Sequence, residues 1–124
     1  MGQDSLEGFG AYKKGMELFD MVVTDMEKLK DKPQCHRLIS QQVASSDSIC
    51  ANIEEGYGRG SSREYVQFLR IARGSARETR GRYVRMKHWL PSSIIEDRIK
   101  RCDEVIGILG ATINTLKDKI RAND

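Results

Sequence analysis

A chain of 124 residues with 39% hydrophobic and 31% charged side chains has the size of one globular domain, 1–124, and its two prolines and few β-branched runs speak against a sheet. No stretch approaches the roughly 20 apolar residues of a membrane span, the first residues lack the basic-then-apolar order of a signal peptide, and the three cysteines, Cys35, Cys50 and Cys102, are an odd count that reads as free thiols in a cytoplasmic protein. The formal net charge of +3 is too small to indicate a nucleic-acid partner by itself, so the distribution of charge matters more.

The spacing predicts four helices, over roughly 8–31, 34–56, 62–89 and 93–121. In the first, Phe9, Tyr12, Met16, Phe19, Val23 and Met26 alternate by three and four and share one face. Lys30-Asp31-Lys32-Pro33 ends it, because proline cannot continue a helix. The second runs through Ile39, Val43, Ser46, Cys50 and Ile53, with Leu38 and Ile49 beside them. Its seam is rich in serine and alanine, so it gains little from apolar burial alone and is expected between other helices. It closes at Gly56-Tyr57-Gly58-Arg59-Gly60, where glycines suit the left-handed backbone of a helix end.

The third helix opens on Ser61-Ser62-Arg63-Glu64, a capping box in which a serine is followed three residues later by glutamate. Its apolar face is Tyr65, Phe68, Leu69, Ala72, Ala76, Thr79, Tyr83 and Met86, and Pro91 marks the break. Ser93-Ile94-Ile95-Glu96 has the form of a second capping box, followed by Ile95, Ile99, Cys102, Ile106, Leu109, Ile113, Leu116 and Ile120. Gly107 and Gly110 interrupt this last helix and are expected to permit a close crossing. Four amphipathic helices on short connections favour an all-α, antiparallel up-down-up-down four-helix bundle. A single coiled-coil hairpin fits less well, because the second helix is too poor in large apolar residues to form half of one.

The segment 62–90 carries eight basic residues against two acids, a net +6, which leaves −3 for the rest of the chain. Arg70, Arg73, Arg77 and Arg80 fall on one helical stripe beside the apolar face, and Arg63 extends it by a heptad. One interpretation is a solvated face, or arginines paired with acids of a neighbouring helix or subunit. Glu17, Asp20, Asp25 and Glu27 on the first helix, and Glu96, Asp97, Asp103 and Glu104 on the fourth, are available for that. The other is a phosphate-binding stripe, since arginine donates forked hydrogen bonds to phosphate oxygens. Arg59 lies apart, in the glycine loop leading to the third helix, where an anion could also be held.

No catalytic constellation emerges. The glycine loop follows a helix and lacks both the G-x-G-x-x-G order and the G-K-[ST] ending of nucleotide-binding loops. Cys35 and His36 are adjacent and point apart, and Cys50, Cys102 and His88 show no ligand spacing, so no metal or other cofactor is expected. The two histidines, His36 and His88, lie near opposite helix ends with nothing that suggests a triad. Trp89 is expected to close one end of the bundle.

One stretch is longer and more specific than any of these. Ser48-Ile49-Cys50-Ala51-Asn52-Ile53-Glu54-Glu55-Gly56-Tyr57-Gly58-Arg59, then Ser62-Arg63-Glu64, Phe68-Leu69 and Ala72-Arg73-Gly74-Ser75-Ala76-Arg77-Glu78, resemble the bacterial four-helix-bundle proteins encoded by intervening sequences within large-subunit ribosomal RNA genes. The resemblance covers the second and third helices; the other two match in length and periodicity. It implies a homopentamer without enzymatic activity. It also implies a fold similar to the accessory variability protein of diversity-generating retroelements, a basic pentamer that binds nucleic acid and a reverse transcriptase. Partners to expect are therefore further copies of the chain, RNA or another nucleic acid, and a reverse transcriptase or other protein. Val43 and Ala44 stand where the family often carries arginines, and Asp47 adds an acid, so the third helix must supply the basic surface through Arg63, Arg70, Arg73, Arg77 and Arg80, with Arg59 as an outlier. Within the motif, Asn52, Glu55, Ser75 and Glu78 are expected to form a buried polar network between the second and third helices. Gly56 is expected at the turn, and Gly74 is expected to let the two helices approach.

Overall fold

The computed structural model describes residues 5–123. Four α-helices follow one another: α1 (Gly10–Glu27), α2 (His36–Tyr57), α3 (Ser62–Arg85) and α4 (Ser92–Asn123). Single turns of 3-10 helix at Leu6–Gly8, Pro33–Cys35 and Met86–His88 link or extend them. α1 packs on α2, α2 on α3, α3 on α4 and α4 back on α1, the arrangement of an up-down-up-down bundle. At about 1.5 Å per residue the 32-residue α4 spans roughly 48 Å, so the bundle is long and narrow.

The core is drawn from all four helices, with Leu18, Val22, Leu29, Ile49, Ile53, Leu69, Tyr83, Met86, Val105, Leu109 and Ile113 among its fully buried side chains. The predicted faces of α3 and α4 point inward. That of α1 is rotated from the expected stripe. Its buried residues are Ala11, Gly15, Leu18, Val22, Asp25 and Met26, while Met16 and Val23 are nearly half exposed. The cause is Gly15. A Cβ there would lie 3.1 Å from Cys50 Sγ and 3.3 Å from Ile49 Cγ2, so the small side of α1 faces α2 at close range. The larger but less tightly fitting side turns outward.

Helix ends follow their local chemistry. α1 stops at Glu27, short of the proline, and residues 28–31 continue as turns. Ser61 caps α3, its Oγ accepting the Glu64 amide at 3.2 Å and donating to the Glu64 carboxylate, so the first capping box is formed. The second is not: α4 begins one residue early, at Ser92, and the Pro91 carbonyl accepts from the amides of Ile94 and Ile95. Ser93 therefore sits inside the first turn. None of the described glycines has a positive φ, and the residue after α2, Gly58, keeps a right-handed backbone at φ −82°. Glycine at the α2 end thus serves packing, not handedness. A Cβ on Gly56 would sit 2.7 Å from Phe68 Cβ and 2.9 Å from Tyr65 Cδ1. Gly107 and Gly110 permit no close crossing, since a Cβ on Gly107 would meet nothing within 4 Å and one on Gly110 would meet only the Arg73 guanidinium at 3.8 Å. Trp89 is half-buried against the core beyond the end of α3, where it meets the His88 ring edge-on.

A charged cluster lies inside the bundle. Asp25 of α1 is fully buried and receives a two-pronged contact from Arg98 of α4, Nε to Oδ2 at 2.8 Å and Nη2 to Oδ1 at 3.0 Å. Tyr83 of α3 donates its hydroxyl to the same carboxylate at 2.7 Å. Burial, reinforced by that hydrogen bond, pushes the Tyr83 phenol far above its usual value. Asp97 receives Arg98 and Arg101, whose hydrogen bonds hold its carboxyl below the ordinary range. Asp25 therefore ties α1 to α3 and α4 and is not a surface counter-ion for the α3 stripe.

Candidate nucleic-acid interface

The arginines of α3 share a stripe in sequence, but their surroundings divide them. Arg80, in the last two turns of α3, is taken by Asp103 of α4, Nε to Oδ1 at 2.7 Å. One member of the stripe is thus paired across helices, as one of the two interpretations foresaw. Arg73 is half-buried with its guanidinium over Gly110 of α4. Arg70 and Arg77 are exposed, and among the described residues no acid pairs with Arg70, Arg73 or Arg77. Arg59 stands apart, bound to Glu55 one turn back and lying over the Phe68 ring at 5.0 Å. A further arginine, Arg82, turns the other way, toward α2, donating to Ser45 Oγ at 2.8 Å and Gln42 Oε1 at 3.2 Å.

At the bundle end where α3 begins and α4 finishes, Arg63 and Arg70 face Lys117 and Arg121 across a cleft of about 330 Å3. Val66, Gln67 and Ile120 complete its lining. A second concavity adjoins it, lined by Ser61, Ser62, Arg63, Lys119, Ile120, Ala122 and Asn123. Three basic residues of α4, Lys117, Lys119 and Arg121, were not among the sequence candidates. The signal was available: in an antiparallel bundle the start of α3 and the finish of α4 meet at one end, and the alternating cations at 117, 119 and 121 fall there. Asp118 is paired with Arg121.

The motif residues of α2 and α3 meet in part. Asn52 donates to both the carbonyl and the hydroxyl of Ser48, and Ser75 donates to the same hydroxyl at 2.8 Å. The network continues through Thr79, which donates to the Ser75 carbonyl and shares a 2.7 Å hydrogen bond with Ser45, and through Gln42, which donates to the Thr79 carbonyl at 2.9 Å. Glu55 and Glu78 do not join it. Both are exposed, Glu55 on Arg59 and Glu78 at the rim of a shallow groove between α2 and α3. Carboxylates are too costly to bury without a partner, and the serines and Thr79 already satisfy one another. Gly74 does not bring the helices together either, since a Cβ there would meet nothing within 4 Å. That role falls to Gly56.

Among the described residues no group of three or more His, Cys, Asp or Glu side chains could hold a metal ion, and no helix is long and apolar enough to cross a membrane. The three cysteines are buried and unbridged.

Comparison with known proteins agrees with this architecture. The family model described as 23S rRNA-intervening sequence protein matches residues 7–111. A crystal structure of a protein of unknown function from the S23 ribosomal protein family of Bacteroides thetaiotaomicron VPI-5482 superposes with a TM-score of 0.78 at 22% identity. The match covers 83% of this chain and 97% of the other, a likeness of fold. No curated protein matches the sequence.

Proposed function

The chain belongs to the 23S rRNA-intervening sequence protein family, and from that membership together with its basic surface we propose that it is a non-enzymatic, homo-oligomeric scaffold that binds RNA or a ribonucleoprotein. The observation that carries the reading is the asymmetry of charge on α3. Among the described residues Arg70, Arg73 and Arg77 are left without acids, although acids elsewhere in the bundle are matched to Arg59, Arg80, Arg98 and Arg101. Arg70 continues this charge toward the bundle end, where it lines a cleft with Lys117 of α4. Phosphate oxygens are the natural complement to forked guanidinium donors. A pentamer is the assembly that the family resemblance implies, and it would repeat this surface five times around an axis.

The test is RNA affinity as a function of salt. Tight binding with a steep negative slope, flattened by about one unit for each of Arg73→Ala and Arg77→Ala, is expected. Absence of binding at low salt refutes the reading. A second reading, a protein-only module such as an accessory subunit of a reverse transcriptase or other polymerase, draws on the exposed Met16, Val23, Ile71 and Val84. It predicts a protein partner that co-purifies after nuclease treatment, with no salt-dependent RNA binding.

A further inference from the structure

α1 carries two apolar stripes, and the bundle buries only one of them. Ala11, Leu18, Val22 and Met26 lie in the core. On the other side Met16 is 45% and Val23 47% exposed, and Phe19, half-buried between them, is not among the side chains packed on the core. Spacings of three and four residues set these three in one line, the kind of seam by which one helix pairs with another. At about 1.5 Å per residue the line from Met16 to Val23 is about 10 Å long. Acids border it. Glu17 and Asp20 of α1 are exposed, and Asp20 stands with Asp47 and Glu54 of α2 near enough to Cys50 for all three to raise its thiol pKa.

The opposite charge lies diagonally across the bundle. α1 packs on α2 and α4, and so does α3, which leaves the outer sides of α1 and α3 pointing away from each other. α1 and α2 together hold three lysines and arginines against seven acids, whereas α3 holds seven arginines against two acids. Near the end of α3 the exposed Val84 shares a stripe with the exposed Arg77, two turns before it. Beside it is the exposed Arg85, whose guanidinium reaches back to Gly81. Ile71, the other exposed large apolar side chain of α3, has the acid Glu78 two turns on and suits an acidic neighbour less well. Among the described residues no ion pair engages Glu17, Asp20 or Asp47 on the one side, or Arg77 or Arg85 on the other.

We propose that the stripe Met16, Phe19 and Val23 of one copy packs on the Val84 end of α3 in the next copy, with Glu17, Asp20 and Asp47 facing Arg77 and Arg85. Two different surfaces meet, so the contact is heterologous and runs head to tail, the type of contact that closes into a ring. Apolar side chains exclude water at its centre, and the charges around them select the partner surface and its register. Pairing α1 with α1 would set acids against acids and is disfavoured. The contact takes about 10 Å of an α3 that is about 36 Å long. Arg70 and Arg73 therefore stay open to phosphate, and Arg77 lies at the border between the two. The proposal rests on the homo-oligomeric part of the function proposed above and not on RNA binding.

The experiment uses two double variants, Met16→Asp/Val23→Asp and Val84→Asp/Arg85→Asp, and reads mass by light scattering after size exclusion. All four positions are exposed, and a far-ultraviolet circular dichroism spectrum checks that the fold persists. The parent is expected at a multiple of the 14.1 kDa chain, and each variant alone at the mass of one chain. Mixed in equal amounts, the two variants are expected to form a dimer and nothing larger, because one intact α1 face then meets one intact α3 face. That dimer also shows that both variants are folded. Variants that remain monomers on mixing overturn the head-to-tail contact. Assembly that survives in either variant overturns the assignment of faces while leaving the homo-oligomer intact. A monomeric parent refutes the homo-oligomer reading itself and the proposal with it, and leaves the α1 stripe to a protein of another sequence.

Discussion

Two glycines of the α2–α3 motif, Gly56 and Gly74, should respond oppositely to a methyl group. At Gly56 an added Cβ would stand 2.7 Å from Phe68 Cβ and 2.9 Å from Tyr65 Cδ1. Phe68 Cβ is the root of its side chain, so no rotamer change relieves the contact and α3 itself must move away from α2. Overpacking of this kind costs about 1–3 kcal/mol. The gain in helix propensity, up to about 1 kcal/mol, offsets part of it, which leaves a net loss of about 1–2 kcal/mol for Gly56→Ala. At Gly74 the methyl group meets nothing within 4 Å, so Gly74→Ala keeps the propensity gain of up to about 1 kcal/mol. For a chain of this size that corresponds to a rise in Tm of about 4 °C, against a fall of similar or greater size for Gly56→Ala. The assay is thermal and urea unfolding of both variants beside the parent, at one fixed protein concentration because oligomerisation shifts apparent stability. Gly56→Ala as stable as the parent would refute the close α2–α3 crossing. A loss above about 1 kcal/mol in Gly74→Ala would show that another surface packs on that face of α3.

Removing the buried carboxylate with Asp25→Ala leaves the Arg98 guanidinium, only 15% exposed, without its two-pronged partner, and should lower stability by about 3–5 kcal/mol. The triple variant Asp25→Leu/Arg98→Met/Tyr83→Phe should recover most of that loss in urea unfolding; a triple variant as unstable as the single one would mean that the cluster does more than satisfy its own charges. The cysteines offer a third check. Burial pushes the thiols of Cys50 and Cys102 up to about 12, with Glu54 and Asp103 adding to the respective shifts. A raised pKa means less thiolate at any pH below it. At pH 8 a disulfide-exchange reagent should therefore label neither residue in the folded protein and should label all three cysteines in denaturant, and rapid labelling of the native protein would contradict their burial.

Much of the fold was legible in the pattern of apolar residues. The four-three alternation of Ile95 to Ile120 located α4 and its inward side. Ser61 and Glu64 marked the start of α3 correctly, because a capping box is a local device whose partners lie three residues apart. On α1 the same reasoning was right only in part: Met26 lies in the core and Phe9 and Tyr12 pack against it, but Met16 and Val23 turn outward. Two apolar stripes run along that helix, and periodicity ranks them by side-chain size. The bundle ranks them by fit, and Gly15 lies against α2 where even a Cβ would be crowded by Cys50 and Ile49. Asp25 was equally opaque, since an acid at an interior position is legible only once Arg98, 73 residues away, is seen beside it.

The candidate site divides along the same line. Sequence alone determined that positive charge concentrates on the third helix and that Asn52 and Ser75 belong to a polar motif, because composition, spacing and motif are properties of the chain. The third dimension decided which charges remain unmatched. Arg80 is matched by Asp103 of α4, and Arg59 by Glu55, while Arg70 gathers with Lys117 and Arg121 over the Val66 and Ile120 floor. Electrostatic pairing depends on distance through space, and an antiparallel bundle makes neighbours of residues about fifty positions apart. Apolar periodicity sets which side of a helix turns inward when one side dominates; only packing sets which ions meet.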